Sequence, residues 1–331
     1  MRNRDLRSDD SGVSLGPNHK STRKRGIKVT VCIAAICSDE SGSTIFGAAD
    51  RTISTQDMEF EPPTRKIFPL TTSITVMTAG DTGLHTEIIG ELRREIRNRI
   101  EKTPTEWILV KDVTDLYVKF YNEIKLKRAE ATLLAPLGLD HNSFIEKQGL
   151  MAPDFIKSLT RDMIQYPMPD VSILITGLDP QGAHIFVVDD GSPHCLDKVG
   201  FAAVGIGARH AESQFMLAGH SGLSQIPETL LLVFTAKRRA EVAPGVGRAT
   251  DMILIGPGLG VTVPIDDGIV TDLGKMYERN ADKEKEARKD AQAEVIQYLA
   301  EINEAAIQKA QKSEDKLETD GGQPSTNESP V

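Results

Sequence analysis

Four residues in strand-like surroundings have the types needed for acyl transfer: Thr30, Asp50, Lys66 and Gly80. Thr30 opens T-V-C-I-A-A-I-C, Asp50 closes I-F-G-A-A-D, Lys66 lies in R-K-I-F, and Gly80 ends V-M-T-A-G. A threonine hydroxyl whose own α-amine is freed by processing, with a buried lysine nearby, is a self-contained nucleophile that needs no histidine base. Singly, each residue has a plainer structural reading: a β-forming threonine, an Asp–Lys ion pair, a turn glycine. The spacing of the set carries the chemical one.

The elements that must hold this set are legible in the apolar pattern. Residues 30–37 and 44–49, separated by S-D-E-S-G-S, read as a hairpin, and Lys66–Leu70 with Ser73–Thr78 as a second pair. Leu84, Ile88, Leu92, Ile96 and Ile100 recur every fourth residue, which predicts an amphipathic helix starting near Gly80–Asp81. A second helix is expected over about 111–131, then a helix-and-loop excursion over about 136–170. Strand patterns return at 171–177, 184–188 and G-F-A-A-V-G-I-G, followed by helices near 208–219 and 227–242 and strands at 252–255 and 261–263. Runs of strands followed by runs of helices favour an α+β fold over a doubly wound sheet. The expected form is a four-layer α-β-β-α sandwich, two stacked antiparallel sheets flanked by helices.

The 331 residues give ample sequence for a buried core, with 39% apolar and 26% charged residues, ordinary for a globular domain. A net charge of −9 speaks against general nucleic-acid binding. Cys32, Cys37 and Cys195 lack metal-ligand spacing and suit a reduced, cytoplasmic setting. No apolar run is long enough for a bilayer span, and no secretory signal is evident. The basic, Gly/Ser/Pro-containing stretch 1–29 reads as a disordered extension, a propeptide or a misassigned start; 272–313 as a charged helix with one apolar stripe; and 314–331 as a disordered acidic tail.

The chain resembles the proteasome β-subunit family of N-terminal-nucleophile hydrolases, and most its bacterial proteasome-like members. The likeness rests on T-V-C-I-A-A, A-A-D, R-K-I-F and T-A-G-D, with the family's intervals of sixteen residues from Asp50 to Lys66 and fourteen from Lys66 to Gly80, and spans roughly 30–265. The resemblance implies that Thr30 attacks through its hydroxyl, with its freed α-amine as general base. It implies that Lys66 lowers the hydroxyl's pKa, that Asp50 holds Lys66 charged, and that the Gly80 N–H stabilises the oxyanion. By position, Ile53, Thr64, Phe68, Thr78 and Thr82 would line the substrate pocket. No metal and no cofactor are implied. Homo-oligomeric rings, peptide or protein substrates and an ATPase or other regulatory partner are.

Three departures from the family stand out. Val29 precedes Thr30 where the family has glycine, so exposure of Thr30 requires a cut, or a start codon read at position 29. Ile206 replaces a serine in Gly205-Ile206-Gly207. The family's R-D-x-x-S-G-G is answered only by R-R-A-E-V-A-P-G-V-G, with Glu241 the nearest substitute for the aspartate and Asp251 a weaker one. The rest of the 237–241 run reads as a solvated helix face. The expected activity is therefore that of a threonine-type peptidase. A non-catalytic proteasome-like subunit and a small-molecule amidase or acylase are the alternatives.

Overall fold

The structure, a computed structural model, describes residues 30–54, 59–60 and 65–320. The expectations for 1–29, for Thr64 and for 321–331 lie outside the described residues. In chain order the strands and helices are β1 (Cys32–Asp39), β2 (Gly42–Asp50), β3 (Ile53–Ser54), β4 (Glu59–Phe60), β5 (Ile67–Pro69), β6 (Ile74–Gly80), α1 (Thr82–Lys102), α2 (Val110–Ala129), α3 (His141–Lys147), α4 (Pro153–Ile164), β7 (Val171–Asp179), β8 (Gly182–Asp189), β9 (Ser192–Cys195), β10 (Phe201–Val204), α5 (Ala208–Ala218), α6 (Ile226–Ala240), β11 (Thr250–Ile255), β12 (Thr262–Pro264) and α7 (Asp267–Asp320).

Two antiparallel five-stranded sheets form the centre, in the orders β10-β1-β2-β11-β12 and β5-β6-β7-β8-β9. Side chains alternate between faces along a strand, and alternate residues of these strands pack into different layers. Cys32, Ala34, Ile36 and Ala49 of the first sheet pack with Met77, Ala79 and Leu174 of the second, so the two inner faces share one core. Ile33, Ala35, Phe46 and Ala48 point the other way and meet Phe215, Val233 and Phe234 of α5 and α6. Ile74, Val76, Ile173 and Ile175 likewise turn outward to Leu84, Ile88, Tyr117 and Phe120 of α1 and α2. The layers therefore run helix, sheet, sheet, helix. Strands such as β1, β2 and β7 are buried on both faces, which is why they read as near-continuous apolar runs instead of alternating ones.

Helix α1 begins where its period begins, because Asp81 caps it by accepting from the Leu84 N–H at 2.7 Å. The excursion expected over about 136–170 holds α3 and α4, and its Phe144 and Leu159 pack with Leu134, just before it, in a small separate core. Helix α7 runs from Asp267 to Asp320, past the point where an acidic tail was expected to start. Its alanine and charged residues favour helix, so composition alone set that boundary too early. Among the described residues, no helix is long and apolar enough to cross a membrane.

Candidate active site

Thr30 sits at the threshold of β1, Asp50 at the end of β2 and Lys66 just before β5, and these three of the spaced set converge where the two sheets meet. Thr30 Oγ1 donates to Asp50 Oδ1, and Lys66 Nζ donates both to Thr30 Oγ1 and, at 2.9 Å, to Asp50 Oδ1. All three are buried: Thr30 is 1% exposed, Asp50 0% and Lys66 9%.

A buried carboxylate is tolerable only when its oxygens are occupied. Asp50 Oδ1 also accepts from the Val31 N–H at 3.0 Å, while Oδ2 accepts from Thr52 N–H at 3.2 Å and Gly247 N–H at 3.1 Å. The Thr30 carbonyl accepts from Gly207 N–H at 3.3 Å. Gly205 passes close by with φ +96°; a Cβ there would strike the Thr30 carbonyl, so this position needs glycine for both its backbone angle and the approach. Thus the Gly-Ile-Gly segment supports Thr30 through its backbone. The absent serine hydroxyl is replaced by Ile206 packing into the outer core.

Gly80 ends β6 at φ +108°, where a Cβ would collide with the Asp170 carbonyl. Two residues before it, the Thr78 carbonyl lies 3.5 Å from Cys32 Sγ, which ties this end of β6 to the start of β1. Burial pushes the Cys32 thiol up to about 12, against the opposing pull of Lys66. It stays a neutral, packed group.

The expected pocket residues divide. Thr78 shares the helix-facing side of β6 with Ile74 and Val76, and its N–H donates to the Lys66 carbonyl at 3.4 Å. Phe68, opposite Val76, faces the same way, with Arg93 5.8 Å over its ring. Thr82 is exposed in the first turn of α1. These three thus stand on the α1 side of the second sheet. Ile53 lies in β3, a two-residue strand paired with β4.

Glu241 does not touch Thr30, Asp50 or Lys66; it reaches them through a lysine. It accepts from Lys237 Nζ at 2.7 Å and from Arg238 Nη1 at 3.1 and 3.0 Å. Lys237 Nζ also donates to the Gly247 and Arg248 carbonyls at 2.8 and 2.7 Å, and the Gly247 N–H is one of the backbone amides that hold Asp50. Lys237 is 0% exposed, which corrects the reading of 237–241 as a solvated face. Desolvation lowers its pKa, and the Glu241 hydrogen bond opposes that fall. Nothing in K-R-R-A-E separates this arrangement from an exposed i,i+4 pair; only Val233, Ala236 and Ala240 on the same helix mark the inward side. Asp251, the weaker substitute, instead pairs with Arg51 at 2.8 Å and Arg65 at 3.5 Å.

No group of three or more His, Cys, Asp or Glu side chains among the described residues is placed to hold a metal ion. No protein-family model and no curated protein matches this chain.

Proposed function

We propose that this chain is a threonine-type amide hydrolase of the proteasome-like N-terminal-nucleophile kind, acting on peptide or protein substrates. One observation carries the reading: a hydroxyl, an ammonium and a carboxylate, drawn from three separate stretches of chain, share mutual hydrogen bonds in a buried cluster. In the sequence as it stands the Thr30 nitrogen is acylated by Val29, so breaking that bond is the first step. The liberated amine, with an ordinary pKa near 7.7–8.0, then takes the Oγ1 proton as the oxygen attacks the scissile carbonyl carbon.

The resulting oxyanion is held by the Gly80 N–H at the entry to α1. Collapse of the intermediate breaks the C–N bond, and the departing amine leaves with the proton. The Thr30 ester that remains is cleaved by water, activated by the same α-amine, which restores the hydroxyl. Lys66 holds positive charge beside Oγ1 throughout, and Asp50 keeps Lys66 in place. Glu241 and Lys237 act at one remove by fixing the segment that carries Gly247. By the same likeness, assembly into a homo-oligomeric ring in the cytoplasm, served by a regulatory partner, belongs to the proposal.

The burial of Thr30 favours a second reading, a subunit in which the bond after Val29 is never cut and the cluster is structural. Intact mass and N-terminal sequencing of the native protein separate the two. A chain beginning at Thr30 that cleaves fluorogenic peptides, with turnover abolished in Thr30→Ala and Lys66→Ala, supports the hydrolase. Retention of residues 1–29, or unchanged turnover in Thr30→Ala, overturns it.

A further inference from the structure

Two exposed apolar surfaces lie outside the Thr30 cluster. The first is a stripe on α7. Val295, Leu299, Ile302 and Ala306 follow at i, i+4, i+7 and i+11, so they share one helix face. Every residue from 282 to 312 is exposed, and Val295, Leu299 and Ile302 are 52, 54 and 62% exposed. The second is a groove of about 360 Å³ between α2, α3 and α4, to which each helix gives side chains from a single turn. Leu126, Ile145 and Ile164 on its walls are 43, 49 and 69% exposed, so a partner reaches it directly from solvent.

The stripe does not lie on the groove of its own chain. Helix α7 is anchored on the α5–α6 layer, by Leu273 in that outer core and by Glu284 pairing with Arg239 at 2.6 Å. Ile302 lies about 27 Å beyond Glu284 along the axis, at 1.5 Å per residue. The groove belongs to the opposite helical layer, where α2 packs.

Charge matches the two surfaces to each other. From 291 to 308 α7 has no basic residue, and Glu294 and Glu301, each just before a stripe residue, line one border of the stripe. The groove is the reverse: Lys125 and His141 line it, and among the described residues on its walls none is acidic. Two α7 stripes laid together would bring only acids to their borders, and like charges across a contact oppose it. A helix whose apolar anchors repeat at this spacing, seated in an apolar groove, is a standard mode of recognition.

We propose that residues 294–306 of α7 dock in the α2–α3–α4 groove of a second copy of this chain, the apolar stripe inward and Glu294 and Glu301 towards Lys125 and His141. Each copy then offers one stripe and one groove, which serves a reciprocal pair or a closed ring. The contact requires nothing of Thr30.

Photocrosslinking of the full chain tests this. Tyr298, on the flank of the stripe and exposed, is replaced by p-benzoylphenylalanine, the protein is irradiated, and the linked peptide is identified in the band of doubled mass. That band is expected, with its links falling in α2, α3 or α4 at residues 122–126, 141–145 or 160–164. Ile164→Glu changes a side chain already open to solvent, so it should leave the melting temperature alone while cutting the yield about tenfold, the factor for one buried aliphatic anchor. Lys125→Glu should cut the yield about fivefold, the factor for roughly one exposed ion pair, and adding Glu301→Lys should recover part of it. Links to α7 of the second copy, links at the mass of a single chain only, or a yield unmoved by Ile164→Glu or by Lys125→Glu would each overturn the assignment.

Discussion

Replacing Lys237 with methionine tests the link between Glu241 and Asp50 most directly. The ammonium makes three hydrogen bonds, to Glu241 Oε1 and to the Gly247 and Arg248 carbonyls, from a fully buried position. Lys237→Met keeps most of the aliphatic stem but takes the Gly247 carbonyl's donor away, at about 1–3 kcal/mol, while the Arg248 carbonyl keeps a hydrogen bond from Thr250 Oγ1 at 3.2 Å. Glu241 retains its two bonds from Arg238, so the full cost of about 3–5 kcal/mol for an uncompensated buried charge does not arise. Relief of the ammonium's own desolvation offsets part of the loss of its three bonds, leaving a net loss of about 2 kcal/mol. With a urea m-value at the upper end for single domains, about 3 kcal/mol per M, the unfolding midpoint should fall by about 0.7 M. Glu241→Gln, which leaves the two carbonyls bonded, should fall by clearly less. A midpoint for Lys237→Met within about 0.3 M of the parent, or a larger fall for Glu241→Gln, would refute the reasoning that the lysine clamps the 247–248 segment.

Other outcomes are expected from the same geometry. Asp50→Asn should cost about 3–5 kcal/mol by leaving the Lys66 ammonium without its anion, and adding Lys66→Met should recover part of that loss in a double-mutant cycle read by urea unfolding. Gly205→Ala should destabilise by at least about 1–2 kcal/mol from its backbone angle alone, with the collision at the Thr30 carbonyl added, seen as a lower melting temperature. His220 has its pKa lowered, by burial first and against the hydrogen bond to the Ile36 carbonyl. Its folded value therefore lies below the ordinary 6.5 of the unfolded chain, which takes up the proton first. Stability should be full above about pH 6.5 and fall as pH drops towards the folded value, and His220→Gln should flatten that decline. Thiol labelling of the native protein at pH 8 should modify exposed Cys195 alone, since burial holds Cys32 at about 12 and Cys37 at about 11; both should react once urea is added.

How much of this was written visibly in the chain depended on whether period or environment decided it. The order of strands and helices followed from apolar period, and the convergence of Thr30, Asp50 and Lys66 was what the family resemblance of their intervals implied. Strand β9, S-P-H-C, escaped notice because it is an exposed edge strand with no buried face to impose alternation. Lys237 escaped because a buried lysine and a solvated one look alike until the partner carbonyls, ten and eleven residues downstream, are folded beneath it. Asp251 was read as a lesser stand-in for a catalytic carboxylate; its arginine partners, Arg51 and Arg65, come from distant segments that no local pattern joins to it.

The carboxylate at position 50 fastens five groups from four stretches of chain: the amides of residues 31, 52 and 247, the Lys66 ammonium and the Thr30 hydroxyl. Any variant at that position therefore confuses lost architecture with lost reactivity. To silence the cluster while preserving the scaffold, the cut belongs at the hydroxyl of Thr30, whose removal leaves every one of those amides still anchored.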